Sequence, residues 1–249
     1  MNLSCTIVIP CYNEQRRFPL ADFRAYAQAH PHIHFLLVND GSRDQTIDVL
    51  RHAQAGLADR VEVLDQKVNQ GKAEAVRGGM LAAMARTGCE VAGFWDADMA
   101  TPLDQIEELA GVLAAKPELV MVFGSRVKLL GRDIQRRAIR HYLGRIFATA
   151  VSMVLRLPVY DTQCGAKLFR VTSETRGLFA ARFSSRWVFD VEILARFIQG
   201  RGYDIASVEQ AIYEYPLPAW RDVAGSQVKP ADFFRAFFEV LAIHRRYGR

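Results

Sequence analysis

Hydrophobic and polar positions along the chain follow two alternating periods. Short runs rich in β-branched and aromatic residues recur at 6–9, 33–38, 61–64, 91–95 and 120–123. Longer stretches with apolar residues at helical spacing separate them, at about 20–30, 45–58, 72–86 and 103–115. This alternation predicts βαβα units, a mostly parallel sheet and helices on both of its faces, a three-layer α/β/α architecture. Ser42, Asp44 and Thr101 stand where helix caps are expected. Beyond about residue 125 the rhythm breaks. A long helical pattern covers about 134–157, a β-like run 167–171 and a second helical pattern 188–199, and extended segments continue through Tyr215. Lacking an internal repeat, a low-complexity tract or a Gly/Ser linker, residues 1–249 read as one domain.

Composition narrows the class. Half of the 249 residues are hydrophobic and 24% are charged, which excludes disordered, collagenous and disulfide-scaffold proteins. The longest uncharged apolar stretch, 146–155, is about half of the roughly 20 residues that a spanning helix needs. Met1 to Ser4 run into the first strand with no leader pattern, so a cytoplasmic location is expected. Cys5, Cys11, Cys89 and Cys164 form no CxxC pair and read as reduced thiols. The net charge of +5 is local. Between Arg126 and Arg145, seven Lys/Arg residues face only Asp133, which points to an anionic partner.

Candidate chemistry gathers at the C-terminal ends of the predicted strands, where open α/β sheets bind ligands. Strand one ends in Pro10-Cys11-Tyr12-Asn13-Glu14 and strand two in Asn39-Asp40-Gly41-Ser42. The loop after strand three carries Asn69-Gln70-Gly71-Lys72, and strand four delivers Asp96-Ala97-Asp98. Two carboxylates at i and i+2 can share one divalent cation that takes its remaining ligands from substrate phosphates. Each piece alone is equally a turn or a helix cap. Four of them at the ends of four successive strands point to a nucleotide-diphosphate site.

These residues, in this order and spacing, resemble the family 2 inverting glycosyltransferases of the GT-A fold, a Rossmann-like nucleotide-diphospho-sugar transferase architecture. A second set is similar to the dolichyl-phosphate β-glucosyltransferase branch: Gly124-Ser125-Arg126, the run Asp161-Thr162-Gln163-Cys164-Gly165-Ala166-Lys167-Leu168-Phe169, Arg186 to Glu192, and Gly225-Ser226. The resemblance implies glucose transfer from UDP-glucose to a polyprenyl phosphate. It divides the chain into a nucleotide-sugar half (1–125), an acceptor half (126–229) and a C-terminal amphipathic helix (230–249). By the same resemblance Pro10, Tyr12, Asn13, Glu14, Asp40, Gly41, Ser42, Asn69, Gly71, Lys72 and Asp96 hold the donor nucleotide, and Asp96 and Asp98 hold Mg²⁺ or Mn²⁺. Gln163 lies against the sugar and acts with Asp98, Asp190 and Arg126 as the catalytic set. Arg126, Arg140, Gly165, Lys167, Ser226 and Lys229 face the acceptor.

A phosphate monoester, with a second pKa of about 6, is already an anion at pH 7 and has little need of a general base. Asp190 is therefore expected to orient the donor, or else to sit at a helix N-terminus where the macrodipole favours it. Other readings are transfer to a soluble sugar or other hydroxyl acceptor, which would require Asp190 or Glu192 as base, and GDP-mannose as donor. The Arg126–Arg145 cluster is not interleaved with aromatic stacking residues, so nucleic-acid binding is not expected. Phe233, Phe234, Phe237, Phe238 and Leu241 fall on one helical face ahead of Arg245, Arg246 and Arg249, as in a helix lying in an anionic membrane interface. Periodicity serves equally for packing on the core or on a second copy in a homo-oligomer.

Overall fold

The computed structural model describes residues 3–135, 138–223 and 230–248, with the side chains of 138–141 and 230–234 outside the description. Strand β1 (Cys5–Cys11) is apolar at nearly every position because helices cover both faces of the sheet. Val8 joins one apolar cluster with Val38 and Phe94, while Ile7 and Ile9 join the other with Phe35 and Trp95. Period-2 geometry thus sends alternate residues of one continuous hydrophobic run into two separate cores.

Strands β1, β2 (Ile33–Asp40), β3 (Val61–Gln66) and β4 (Val91–Trp95) are parallel, with Ile7 opposite Phe35 and Gly93. Helices α1 (Leu20–Ala29), α2 (Thr46–Gln54), α3 (Lys72–Ala85) and α4 (Gln105–Ala115) connect them and lead to β5 (Met121–Ser125). The sheet then takes strands from later in the chain. β7 (Ala166–Arg170) inserts antiparallel between β4 and β5, and β8 (Ile212–Pro216) adds parallel to β5. The strand order is β3-β2-β1-β4-β7-β5-β8. A mostly parallel sheet under helices is the architecture the alternation predicts.

Three local readings change. Ile134 does not begin a helix: it is the buried centre of a three-residue strand, β6 (Asp133–Gln135), which pairs with β9 (Ala219–Arg221). One buried residue between two exposed ones is too short a pattern to see in sequence, and helix α5 begins only at Ala138 and runs to Leu155. Helices α6 (Ser173–Ala180) and α8 (Ile205–Ala211) appear where no helix was predicted, beside the expected α7 (Phe189–Gly200). Thr101 does not cap α4; its carbonyl accepts from the Trp95 indole at 2.8 Å. The last helix, α9 (Pro230–Tyr247), buries Val240 and Ile243 and stacks Phe237 edge-on against Phe147. Its expected apolar face is therefore split, with Phe238 and Leu241 left exposed and Phe233 and Phe234 outside the described side chains. The four cysteines are unpaired.

Candidate active site

A cleft of about 640 Å³ opens along the C-terminal ends of the parallel strands. The strand order lays its walls out in sequence: Asp40 from β2, Pro10 and Tyr12 from β1, Asp96 and Asp98 after β4, and Arg126 after β5. Glu14, Asn69, Gly71, Lys72 and Gln163 also line it.

The loops after β1, β2 and β3 are tied by hydrogen bonds among themselves. Asp40 accepts from the Asn69 side chain at 2.9 Å and from the amides of Gln70 (2.7 Å) and Gly71 (2.9 Å), so one carboxylate shapes the loop leading into α3. Burial raises its pKa, and those amide bonds act against the shift. Gly41 follows at φ +61°, where a Cβ would lie 2.6 Å from the Val68 carbonyl carbon. Only glycine combines that conformation with that approach. Asn13, also left-handed at φ 55°, donates its amide to Ser42 Oγ and accepts from the Arg43 amide. Asn13, Gly41 and Ser42 therefore do not line the cleft as expected of donor ligands, because their polar groups join the β1 and β2 loops to each other.

Each acidic group on the floor meets a cation. Lys72 Nζ lies 2.5 Å from Asp96 Oδ1, and Arg17 Nη2 lies 2.5 Å from Asp98 Oδ2. Arg17 also reaches Glu14 Oε1 at 3.3 Å. Burial alone would raise Asp96, but the Lys72 ammonium outweighs it and holds the carboxyl below its usual range. Asp98 is pushed up by burial and by the neighbouring Asp96 charge. Burial raises Glu14 to about 7, and its Oε2 is buried without a hydrogen-bond partner. A Cβ on Gly165 would collide with the Asp96 carboxylate, and Gly165 accepts the Asp96 amide at 3.0 Å. Gly165 thus makes room for Asp96 and does not itself line the cleft. The DxD turn is closed by the Ala100 amide donating to Asp98 Oδ1 at 3.2 Å.

The far wall depends on a bidentate pair. Arg126 grips Asp161 through Nε (2.6 Å) and Nη2 (2.8 Å), and its guanidinium lies 5.3 Å from the Trp220 ring centroid. Burial opposes the Arg126 charge, but Asp161 more than offsets this and raises the pKa above the ordinary arginine value. Glu214 on β8 accepts the Tyr160 and Asp161 amides at 2.7 and 2.8 Å, fixing the start of the loop that ends in β7. Gln163 in that loop lines the cleft with its Nε2 buried and unpartnered.

Two expected site residues lie elsewhere. Lys167 is 2% exposed, beneath the floor, and its ammonium is engaged by the carbonyls of Thr162 and Cys164 and by Asp190. It does not face an acceptor. Asp190, in the first turn of α7, is 5% exposed, and neither residue lines the cleft. Burial raises the Asp190 pKa, against the pull of the Lys167 charge. Glu192 is fully buried, held by Ser184, Arg196 and Tyr247. Arg140 falls on α5 with its side chain outside the description, and Ser226 and Lys229 lie outside the described residues. Sequence reasoning missed Arg17, Asp161 and Glu214 as parts of the site, and missed Arg145, Tyr160, Arg186, Trp187 and Trp220 as cleft lining. Asp161 and Arg186 stand inside quoted motifs, and position in such a run was the signal available for them.

The donor set on the floor suits a hard divalent cation. It offers two carboxylates two residues apart, and no group of three metal-binding side chains exists among the described residues. Such a site needs oxygen ligands from elsewhere, as a diphosphate supplies.

Comparison with known proteins gives a consistent result. Residues 6–177 match the family model "Glycosyl transferase family 2". A dolichyl-phosphate beta-glucosyltransferase of Drosophila melanogaster is 32% identical over 243 residues, covering 92% of this chain and 70% of that protein. One from Trichomonas vaginalis is 30% identical, with 98% and 72% covered. A polyprenol monophosphomannose synthase of Mycolicibacterium smegmatis is 26% identical, with 91% and 83% covered. Among solved structures, glucosyl-3-phosphoglycerate synthase from Mycobacterium tuberculosis, in complex with Mn²⁺, UDP and glucosyl-3-phosphoglycerate, superposes with a TM-score of 0.67. It is 18% identical, with 99% of this chain and 80% of that one covered. The shared fold is GT-A.

Proposed function

The chain belongs to glycosyl transferase family 2 and is a hexosyltransferase, and on that premise we propose that it moves glucose from UDP-glucose to a polyprenyl phosphate. The observation that carries this reading is one cleft that orders a nucleotide wall, an acidic pair and a cationic far wall along a single sheet edge. Near-full-length similarity to two dolichyl-phosphate beta-glucosyltransferases supports the donor and acceptor classes.

In this reading Tyr12, Glu14 and Asp40 take the uracil and ribose, and Lys72 with Arg17 faces the diphosphate. Asp98 with Asp96 would hold Mg²⁺ or Mn²⁺, which would supply stabilisation for the negative charge on the leaving nucleoside diphosphate. Gln163 Nε2 donates to a sugar hydroxyl. Arg126 holds the acceptor phosphate with guanidinium donors left over from Asp161, and Arg145, set 3.9 Å over the Tyr160 ring, flanks it. An acceptor phosphate oxygen forms the bond to the anomeric carbon as the bond to the diphosphate oxygen breaks, inverting that centre and releasing UDP. Because the acceptor oxygen is already anionic at pH 7, no carboxylate base is called on. The ion-paired burial of Asp190 and Glu192 supports this over a hydroxyl acceptor. GDP-mannose is the second donor reading, favoured by the similarity to the phosphomannose synthase.

Among the described residues no helix is long and apolar enough to cross a membrane. Exposed Ile146, Met153, Phe238 and Leu241, with Arg245 and Arg246 beside the last two, support peripheral contact with an anionic cytoplasmic leaflet. The deciding experiment follows nucleoside diphosphate release from a panel of UDP- and GDP-hexoses with Mg²⁺ or Mn²⁺, with and without a short-chain polyprenyl phosphate. UDP-glucose turnover that requires the lipid phosphate is expected. Turnover only with soluble hydroxyl acceptors would overturn the acceptor.

A further inference from the structure

Lys167 is a cation removed from water by the fold, 2% exposed and surrounded by oxygens. Its ammonium donates to the Thr162 carbonyl at 3.0 Å and the Cys164 carbonyl at 2.5 Å, and lies 2.6 Å from Asp190 Oδ1. The two carbonyls take hydrogen bonds from the ammonium and Asp190 balances its charge as an ion pair, so three oxygens surround a cation that has donors only. The rings of Phe94 and Phe123 lie beside it at 5.4 and 5.7 Å and close the space to water.

The two carbonyls belong to the residues on either side of Gln163. Both are turned down toward the buried charge, while the Gln163 side chain lines the cleft with an unpartnered buried Nε2. The same loop continues to Gly165, whose carbonyl accepts the Asp96 amide at 3.0 Å. Asp190 brings the N-terminus of α7 to the charge from the other side. One buried cation therefore joins the sugar-side loop, the strand β7 that follows it and the helix behind both.

We propose that Lys167 and Asp190 form a buried positioning pair that sets the loop 161–165, aiming Gln163 at the donor sugar and bracing the backbone of Asp96. The pair touches no reacting atom. It acts through Gln163, and this inference rests on the reading that Gln163 meets the sugar.

Removing one partner would strand a buried charge and destabilise the protein for a trivial reason, whereas replacing both by neutral groups is often tolerated. The test therefore uses the double variant Lys167→Met with Asp190→Asn, alongside Gln163→Ala and the triple combination. Hydrogen exchange of the ligand-free protein is read over 161–166, together with the thermal midpoint, kcat and KM. The double variant is expected to melt within a few degrees of wild type while the 161–166 amides exchange at least about tenfold faster, as for a locally released segment. Its kcat is expected to fall about 100-fold, the cost of a misplaced contact. Adding Gln163→Ala should lower kcat little further, because the two changes remove one function. Exchange at the wild-type rate, or effects on kcat that multiply, would overturn the proposal. A wild-type protein that turns over no nucleotide sugar would count against the proposed activity, and the exchange comparison alone would then decide the positioning role.

Discussion

The two halves of the cleft are built by different means. On the side proposed for the nucleotide, loops after β1, β2 and β3 are tied by short polar side chains and backbone amides: Asn13 to Ser42, and Asp40 to Gln70 and Gly71. On the side proposed for the acceptor, the segment 160–167 is pinned by charges taken out of water, Arg126 on Asp161, Lys167 on Asp190, and Glu214 on two amides. The surfaces differ as well. Before residue 125 the described chain exposes only Leu64 and Val68 among large apolar side chains, whereas Leu130, Tyr142, Ile146, Met153, Trp187, Phe238 and Leu241 are exposed after it. A polar ligand wall can be assembled from local turns. A wall whose outer surface is left exposed needs a rigid frame, because that surface contributes no burial of its own.

That contrast can be broken by mutation. The largest effect is expected at the boundary between the halves: Asp98→Ala should lower metal-dependent turnover by about 10³-fold or more, as loss of charge stabilisation at a leaving group does. Diphosphate release measured across a Mn²⁺ titration checks it, and wild-type turnover at low metal would refute the assignment. Next, Arg126→Met removes the buried cation that pairs with Asp161 and should cost about 3–5 kcal/mol in urea unfolding, whereas the doubly neutral Arg126→Met, Asp161→Asn should recover most of it.

A smaller effect sharpens the nucleotide side. Glu14 titrates near 7 in the fold against 4.5 when unfolded, so its contribution is fully present below about pH 4.5 and is lost as pH rises through 7. Glu14→Gln should therefore be more stable than wild type at pH 8, by about 1–2 kcal/mol, with the gap closing toward pH 4.5. Thermal melts at both pH values check this. The smallest effect on stability belongs to the exposed face of α9. Phe238→Ser with Leu241→Ser should change stability by less than about 0.5 kcal/mol, the usual range for surface changes. Their flotation with anionic liposomes should nevertheless weaken, and unchanged flotation would remove that face from the membrane contact.

The strands β1 to β4 and the helices between them were legible because each is long enough to show its period and is apolar where it meets a core. The DxD turn was legible because Trp95 ends a fully buried run and Asp96 begins a polar one. Ile134 was misread because three residues carry no period, and α8 because seven residues with two buried positions carry little more. Asn13 and Ser42 were read as ligands because a polar residue at a strand end looks the same whether it faces a substrate or a neighbouring loop. Lys167 was read as an acceptor ligand because it stands inside the run 161–169 that carries the resemblance, and nothing in that run says which way a side chain points.

The sequence by itself determined the layering, the parallel frame and the strand ends that bear the acidic pair, because these follow from periodicity and short-range order, and the family was legible from the resemblance of its motif residues. Tertiary structure alone decided which charges neutralise which. Arg17 meets Asp98 across 81 positions, Arg126 meets Asp161 across 35, and β7 enters the sheet between β4 and β5 carrying Lys167 with it. Pairing in space depends on how the chain returns to the sheet, and side-chain charge is decided there because a buried ion persists only where a partner has been brought to it.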